Sequence, residues 1–276
     1  MIRFGLCNEL FEGWNLADTC RVVKDLGYEG IEIAPFTLAP RITDLTTQQR
    51  NEAKRVIEDS GLECIGLHWL LAKTEGLYLT SPDKTTRERT AAYFVELAKA
   101  TAELGGKLMV FGSPKQRDLL MGVSSHEADD LAEEVFRAIL PALDEYKVDF
   151  CLEPLAPSET NYLNTCEQAE AMIARVGHPR FVLHMDVKAQ SGEVGKTVPD
   201  LIRRHAAKAR HFHAQDTNLK GPGMGEVNFE PILKALVDSG YDKWVSVEVF
   251  DYSPGAVETA RASIACLRRE YAKALG

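Results

Sequence analysis

Four acidic or imidazole side chains stand at the ends of apolar runs in the second half of the chain. The runs are Phe150-Cys-Leu-Glu153, Leu183-His-Met-Asp186, His211-Phe-His213 and Val245-Ser-Val-Glu248. Burying a carboxylate in an apolar segment is unfavourable unless it is paired or bound to a cation. A salt bridge or a solvated strand end would explain any single one, but four separate penalties would accumulate unless one ion offset them together. The pattern therefore predicts a shared metal centre.

The donor set of this centre indicates the metal and its chemistry. Three carboxylates and one imidazole, with no thiolate, suit one fairly hard divalent ion. We expect Mn²⁺ first, with Mg²⁺, Co²⁺ or Zn²⁺ as alternatives. Such an ion polarises a carbonyl and stabilises the enediolate formed when the neighbouring carbon loses a proton. Glu153 and Glu248 come from runs separated by two others, so they are expected to transfer protons on opposite faces of a small sugar-like substrate.

Eight short β-type runs must position these residues. The runs cover residues 2–6, 30–33, 62–67, 107–111, 149–153, 181–186, 209–213 and 245–248. Helical patterns alternate with them at residues 16–26, 47–60, 85–104, 127–146, 166–176, 199–208, 232–239 and 256–274. Strict alternation predicts a parallel sheet with helices outside, and eight units favour a closed barrel over an open sheet. We therefore predict an α/β fold, a single (β/α)8 TIM barrel over residues 1–276, whose strand ends form the active site.

Composition and charge argue against several classes of partner. The chain has 276 residues, 45% hydrophobic and 26% charged, and no apolar run of the roughly 18 residues that a membrane span needs. Its 41 acidic and 32 basic residues give a net charge of −9, which opposes binding to nucleic acid or to anionic membranes. Six scattered cysteines and an N-terminus without signal-peptide features are typical of a cytoplasmic protein with free thiols. The oligomeric state stays open, and a homo-oligomer is compatible with the sequence.

The longest motif in the chain follows the fifth run. It reads Glu153-Pro-Leu-Ala-Pro-Ser-Glu159-Thr-Asn-Tyr-Leu-Asn164-Thr165. Shorter motifs are Leu183-His-Met-Asp186, His211-Phe-His213-Ala-Gln-Asp216, Gly221-Pro-Gly-Met-Gly225 with Asn228-Phe229, and Val247-Glu248. Together they resemble the xylose-isomerase-like sugar isomerase and epimerase superfamily over essentially the whole chain. The resemblance is closest to the ketose 3-epimerase branch, whose signature is E-x(5)-E-T-N-x-L-N-T.

The resemblance implies a role for each matching residue. It implies that the metal is held by Glu153, Asp186, His213 and Glu248. Glu153 and Glu248 would also be the paired acid and base, and His213 is the ligand because the second histidine of the H-x-H pattern takes that role. Glu159, at the second glutamate of the signature, would contact the substrate end near C1.

Two positions depart from the pattern of that branch. Ala189 stands three residues after the metal-binding aspartate, where the branch has histidine. Leu219 stands six residues after the metal-binding histidine, where the branch has arginine. Because both branch residues grip sugar oxygens, Lys188 is expected to supply a replacement cation here.

Residues at the ends of the third and fourth runs complete the candidates. His68 is expected to hydrogen-bond a substrate hydroxyl and Trp69 to form an apolar wall, although His68 also fits a satisfied buried histidine. Lys115 and Arg117 are expected in a solvated surface turn, with a clamp for an anionic group as the alternative. In the fourth helical pattern, Pro141 is expected to cause a kink or a break.

These observations predict a metal-dependent isomerase or epimerase of a ketose or keto-sugar derivative. A lyase or dehydratase acting on a keto-inositol or a 3-keto-glycoside begins with the same proton removal, so these residues do not separate the two. A nuclease of the apurinic endonuclease type would need further histidines and a basic groove, which the net charge of −9 opposes. A noncatalytic sugar-binding barrel would have no use for two opposed glutamates at a metal.

Overall fold

Eight parallel strands close into a barrel in chain order in the structure, a computed structural model that describes all 276 residues. The strands are β1 (Arg3–Cys7), β2 (Gly30–Ile33), β3 (Glu63–Leu67), β4 (Leu108–Phe111), β5 (Asp149–Leu152), β6 (Phe181–Asp186), β7 (Ala209–Ala214) and β8 (Trp244–Val247). The helices are α1 (Leu16–Asp25), α2 (Thr47–Asp59), α3 (Lys84–Glu103), α4 (Ser125–Tyr146), α5 (Cys166–Val176), α6 (Val187–Ser191), α7 (Val198–His205), α8 (Phe229–Asp238) and α9 (Ala256–Leu275). The predicted α/β barrel is confirmed.

Local sequence signals set the ends of α5, which follows the longest motif. The side chain of Thr165 accepts a hydrogen bond from the backbone N–H of Gln168, and the Gln168 side chain accepts one from the Thr165 N–H. This reciprocal cap satisfies two N–H groups that the first turn leaves unpaired. Gly177 ends the helix at φ +65°, a left-handed conformation that glycine adopts without steric cost. None of the helices is both long and apolar enough to cross a membrane.

Two helical features differ from the expectations. Helix α4 continues through Pro141, so the expected break is absent, because Ile139 and Leu143 on either side are buried and their packing outweighs the loss of one backbone donor. A kink at Pro141 remains a prediction. The short helix α6 was not expected. Asp186 begins it by accepting a hydrogen bond from the Ala189 N–H at 2.6 Å. The carboxylate of Asp186 is therefore oriented by the helix that it caps.

Two apolar clusters support the barrel. The larger one lies between the strands and the helices and contains five phenylalanines in mutual contact, Phe94, Phe111, Phe136, Phe150 and Phe181. The smaller one consists of Ile65, Leu108, Val110 and Cys151. Gly30 leaves room for Ile65, because a Cβ at this glycine would lie 2.8 Å from the Ile65 side chain. Some buried residues of the strands are polar. They include Glu32 of β2, His184 of β6 and His211 of β7.

Arg117 is completely buried, contrary to the expected solvated turn after β4. Its guanidinium donates hydrogen bonds at 2.7 to 3.2 Å to the backbone carbonyls of Gly112, Glu153, Tyr162 and Leu163. Burial lowers the pKa of Arg117 to about 10, so the side chain stays charged at neutral pH. The interactions join the end of β4 to both ends of the loop after β5. Arg117 therefore fixes the backbone from which Glu153 projects.

Replacing Arg117 by methionine is expected to destabilise the protein by about 3 to 5 kcal/mol. The substitution removes the guanidinium donor from four backbone carbonyls, of which only that of Leu163 keeps a backbone partner, the N–H of Leu155. A buried polar group without a partner costs about 1 to 3 kcal/mol. Urea unfolding measures the change. Lys115→Met is the control, because Lys115 is exposed on the same turn and its loss should change stability by less than about 0.5 kcal/mol. Equal stabilities of the two variants would contradict the structural role of Arg117.

Candidate metal centre and active site

The four predicted ligand residues meet at one rim of the barrel. Glu153 and Glu248 directly follow β5 and β8, Asp186 ends β6, and His213 lies in β7. One donor atom from each residue lies within 4.8 Å of the others. All four side chains are buried, the most exposed being Glu153 at 6%. The parallel strands thus bring together residues that lie up to 95 positions apart in the sequence.

The donors of this cluster fit a divalent cation. Asp186 Oδ2 and His213 Nδ1 are buried and have no hydrogen-bond partner. His213 Nδ1 also lies 3.3 Å from Glu248 Oε2, so the imidazole and the carboxylate face a common space. Three carboxylates in so small a buried volume repel each other, and a doubly charged ion would offset that repulsion. The unpaired donor atoms and the oxygen-rich set both suit the ion expected from the sequence.

The pKa values of the carboxyl groups of the cluster are shifted in different directions. Burial, together with the charge of Glu248, raises the pKa of Asp186 to about 7. Burial and the neighbouring carboxylates Glu248 and Asp186 raise the pKa of Glu153 well above its usual range. Burial acts in the same sense on Glu248, but the attraction of His213 outweighs it and lowers the pKa of that carboxyl. Two carboxyls with opposite shifts are the arrangement that acid–base pairs use.

A cavity of about 410 Å³ opens directly above the cluster. Its walls include Glu153, Asp186 and Glu248, so three of the four proposed ligands are accessible from it. Trp69 forms part of the wall, as expected, and its ring lies 5.2 Å from that of Phe250. A small polar molecule that enters the cavity therefore meets carboxylates at the base and aromatic rings at the side.

Trp69 has a polar contact in addition to its aromatic one. Its indole Nε1–H donates a hydrogen bond of 2.7 Å to Glu248 Oε1. The residue adopts a left-handed backbone conformation at φ +52°, which is uncommon for a residue with a large side chain. Because a hydrogen bond to an ionised group is stronger than one between neutral groups, Trp69 orients the carboxylate of Glu248.

Replacing Trp69 by phenylalanine is expected to lower kcat/KM by about 10- to 100-fold. The variant keeps an aromatic wall but removes the donor to a buried carboxylate, an interaction worth about 1.5 to 3 kcal/mol. Steady-state kinetics of both variants measures the effect. Trp14→Phe is the matched control, because Trp14 packs on Phe11 and does not line the cavity. A Trp69→Phe enzyme with unchanged kcat/KM would show that the bond to Glu248 is not needed.

Lys188 and Glu159 both line the cavity and form an ion pair there. Lys188 belongs to the unexpected helix α6, and its Nζ lies 5.0 Å from the ring centroid of Phe250. Both charged groups are largely shielded, with 13% and 18% of their side chains exposed. The two predicted substrate contacts are thus neighbours. They offer a donor and an acceptor side by side to the hydroxyl groups of a bound molecule.

His68 occupies a different position from the one expected of a substrate contact. It is completely buried and is absent from the cavity lining. Its Nε2 lies 2.6 Å from Glu9 Oε2, while its Nδ1 has no partner. The Nε2 atom of His68 therefore agrees with the alternative expectation of a buried histidine whose hydrogen bond is satisfied within the protein. The proposed contact with a substrate hydroxyl remains a prediction.

The two positions that depart from the branch pattern also lie outside the cavity lining. Ala189 is buried, and its N–H caps onto Asp186. Leu219 is 39% exposed, and its carbonyl accepts hydrogen bonds from the N–H groups of Phe250 and Asp251. The backbones of both residues thus form hydrogen bonds with residues at or next to the site, although their side chains do not line the cavity.

Gln215 is a cavity residue that the sequence reasoning missed. It is completely buried, its Nε2 donates to the Leu219 carbonyl at 3.3 Å, and its Oε1 has no partner. It lies two residues after His213 and directly follows β7, which ends at Ala214. Its position at the C-terminal end of a barrel strand was the available signal.

Known proteins resemble this chain over most of its length. The sequence profile of the xylose isomerase-like TIM barrel family matches residues 20–270. The D-psicose 3-epimerase of Ruminiclostridium cellulolyticum is 27% identical over 245 residues, which cover 85% of this chain and 78% of that protein. The D-psicose 3-epimerase of Agrobacterium fabrum is 25% identical over 252 residues, with coverages of 85% and 79%. A solved structure of L-ribulose 3-epimerase matches with a TM-score of 0.85 at 21% identity, covering 100% of this chain and 96% of that one.

Proposed function

Because the chain belongs to the xylose isomerase-like TIM barrel family, we propose that it is a divalent-metal-dependent epimerase or isomerase of a ketose or keto-sugar derivative. The curated relatives support an enzyme of the sugar isomerase or epimerase type. The observation that carries the proposal is the convergence of Glu153, Asp186, His213 and Glu248 beneath an open cavity. Mn²⁺ is the ion we propose first, followed by Mg²⁺, Co²⁺ and Zn²⁺.

The roles of the residues follow from their positions. Glu153, Asp186, His213 and Glu248 would hold the ion, which supplies Lewis-acid polarisation of the substrate carbonyl and stabilises the enediolate. Glu153, which lines the cavity, would donate a proton to one face of the reacting carbon. Glu248, which lines the same cavity and is oriented by Trp69, would remove a proton from the other face. Reversing these roles carries the reaction in the opposite direction.

The cavity walls would orient the substrate. Lys188 would donate to a sugar oxygen, and Glu159 would accept from a hydroxyl near C1. Trp69 holds Glu248 in place and, with Phe250, shields one side of the cavity from water. We further infer that residues 1–276 act as one barrel domain in the cytoplasm, where the six buried and unpaired cysteines would remain reduced.

Incubation of the purified enzyme with a panel of free and phosphorylated ketoses in D₂O tests the proposal. The expected result is deuterium at the carbon next to the carbonyl together with formation of the epimer or isomer, followed by NMR. Loss of water or of an aglycone would instead indicate a lyase or dehydratase. No exchange with any keto-sugar, in protein shown to contain metal, would contradict the proposal.

A further inference from the structure

Glu32 lies beneath the proposed metal centre and contacts both histidines of β7. It belongs to β2 and is completely buried. One carboxylate oxygen, Oε1, lies 2.5 Å from His211 Nε2, and the other, Oε2, lies 3.1 Å from His213 Nε2. The carboxylate therefore bridges a proposed metal ligand and the residue two positions before it. Neither the sequence motifs nor the relatives assign a role to this contact.

The bridge determines which nitrogen of His213 faces the cluster. A carboxylate accepts hydrogen bonds only, so His213 Nε2 must carry the proton that is shared with Glu32. The opposite nitrogen, Nδ1, points to Glu248 Oε2 at 3.3 Å and has no other partner. A histidine that donates one N–H to a carboxylate presents the lone pair of its other nitrogen to a metal and becomes a more basic ligand.

Resting on the proposed function, we propose that Glu32 is a positioning residue that fixes the tautomer and the ring orientation of His213, with the proton on Nε2 and Nδ1 directed to the cation. His211 is the second support, because its hydrogen bond holds the free end of the same carboxylate. All three side chains are fully buried, so water does not compete for these bonds.

A second buried glutamate–histidine contact, between Glu9 and His68, provides a control for Glu32. Glu9 contacts His68 Nε2 at 2.6 Å, and both residues are completely buried, as are Glu32 and its histidines. His68 does not belong to the four-residue cluster that includes His213. The Glu9→Gln substitution therefore perturbs a buried glutamate–histidine pair whose histidine is not one of the four proposed ligands.

Metal titration of Glu32→Gln and Glu9→Gln by calorimetry, with Mn²⁺ and with Zn²⁺, tests the assignment. We expect Glu32→Gln to weaken metal binding by about 10- to 100-fold, as the loss of a carboxylate partner does in other histidine–metal sites. We expect Glu9→Gln to weaken it by less than about threefold. Equal effects of the two substitutions, or no effect of Glu32→Gln in a folded protein, would overturn the proposal.

A measurement on the unmodified protein covers the case in which Glu32→Gln does not fold. Nitrogen-15 NMR of the imidazoles in the Zn²⁺-loaded protein is expected to show His213 protonated at Nε2 and bound to metal through Nδ1. Binding through Nε2 would overturn the proposal without any variant. If the protein binds no divalent ion, the proposed function fails, whereas the tautomer of neutral His213 still reports on Glu32 by itself.

Discussion

Replacing Glu153 by glutamine is expected to lower the rate of epimerisation by about 10²- to 10⁴-fold, the contribution of a positioned proton-transfer group. The amide is nearly the same size as the carboxyl but does not exchange a proton with the reacting carbon. Glu248→Gln should cause a loss of similar size. The two groups serve opposite faces of the reacting carbon. Each single variant therefore keeps one proton-transfer group, and it should exchange the proton of one epimer with D₂O but not the proton of the other epimer.

Two controls separate this effect from others. Metal content must be measured in each variant, because both glutamates are also proposed ligands. Glu159→Gln changes a carboxylate in the same cavity but outside the four-residue cluster, so we expect a raised KM and retained proton exchange with both epimers. If Glu153→Gln and Glu248→Gln both kept full turnover with bound metal, the acid–base assignment would be wrong.

Removal of the metal with a chelator is expected to reduce turnover by at least about 10³-fold, and addition of Mn²⁺ should restore it. A loss of this size corresponds to the several kcal/mol that a Lewis acid contributes to the transition state. Asp186→Asn should prevent the recovery. Asp216→Asn is the matched control. Like Asp186, Asp216 is a buried aspartate near the end of a strand, but it follows β7 and lies outside the cluster. Elemental analysis and calorimetry measure binding, and recovery of Asp186→Asn by Mn²⁺ would contradict the assignment.

Metal binding should also depend on pH with a defined sign. The pKa of Asp186 is raised to about 7, so below that pH the carboxyl holds a proton that an ion must displace. The apparent affinity is therefore expected to fall as pH drops from 8 to 6, by up to about tenfold per unit for each proton released. Calorimetry in buffers with different ionisation enthalpies counts that proton. An affinity that rises as pH falls would contradict the shift.

The sequence was sufficient to predict the barrel and the meeting of the four proposed ligands. Parallel strands of a closed barrel end at one rim, so the position of Glu153 or Asp186 at the end of an apolar run already indicates where it lies. This argument uses only the order and the direction of strands. It does not depend on the conformation of any loop.

The partners of side chains in the loops could not be predicted in the same way. Arg117 follows β4 in a turn that resembles a solvated surface turn, and its burial depends on carbonyls about 40 residues further along the chain. The pairing of Lys188 with Glu159 likewise joins two loops after different strands. Helix α6 begins from a side chain, Asp186, that the sequence pattern assigned to metal binding alone. Each case requires the folded path of a loop, which local patterns do not contain.

The hydrogen bond between Trp69 and Glu248 makes the intrinsic fluorescence of Trp69 a probe of the cavity. Indole fluorescence responds to a nearby charge, and Trp69 is the one of the three tryptophans that lines the cavity. Trp14 packs against Phe11, and Trp244 begins β8 beneath the guanidinium of Arg3. In a Trp14→Phe background, a change in emission on adding a cation or a sugar therefore reports occupancy of the cavity directly. Ligands can thus be ranked by titration before any reaction product has been identified.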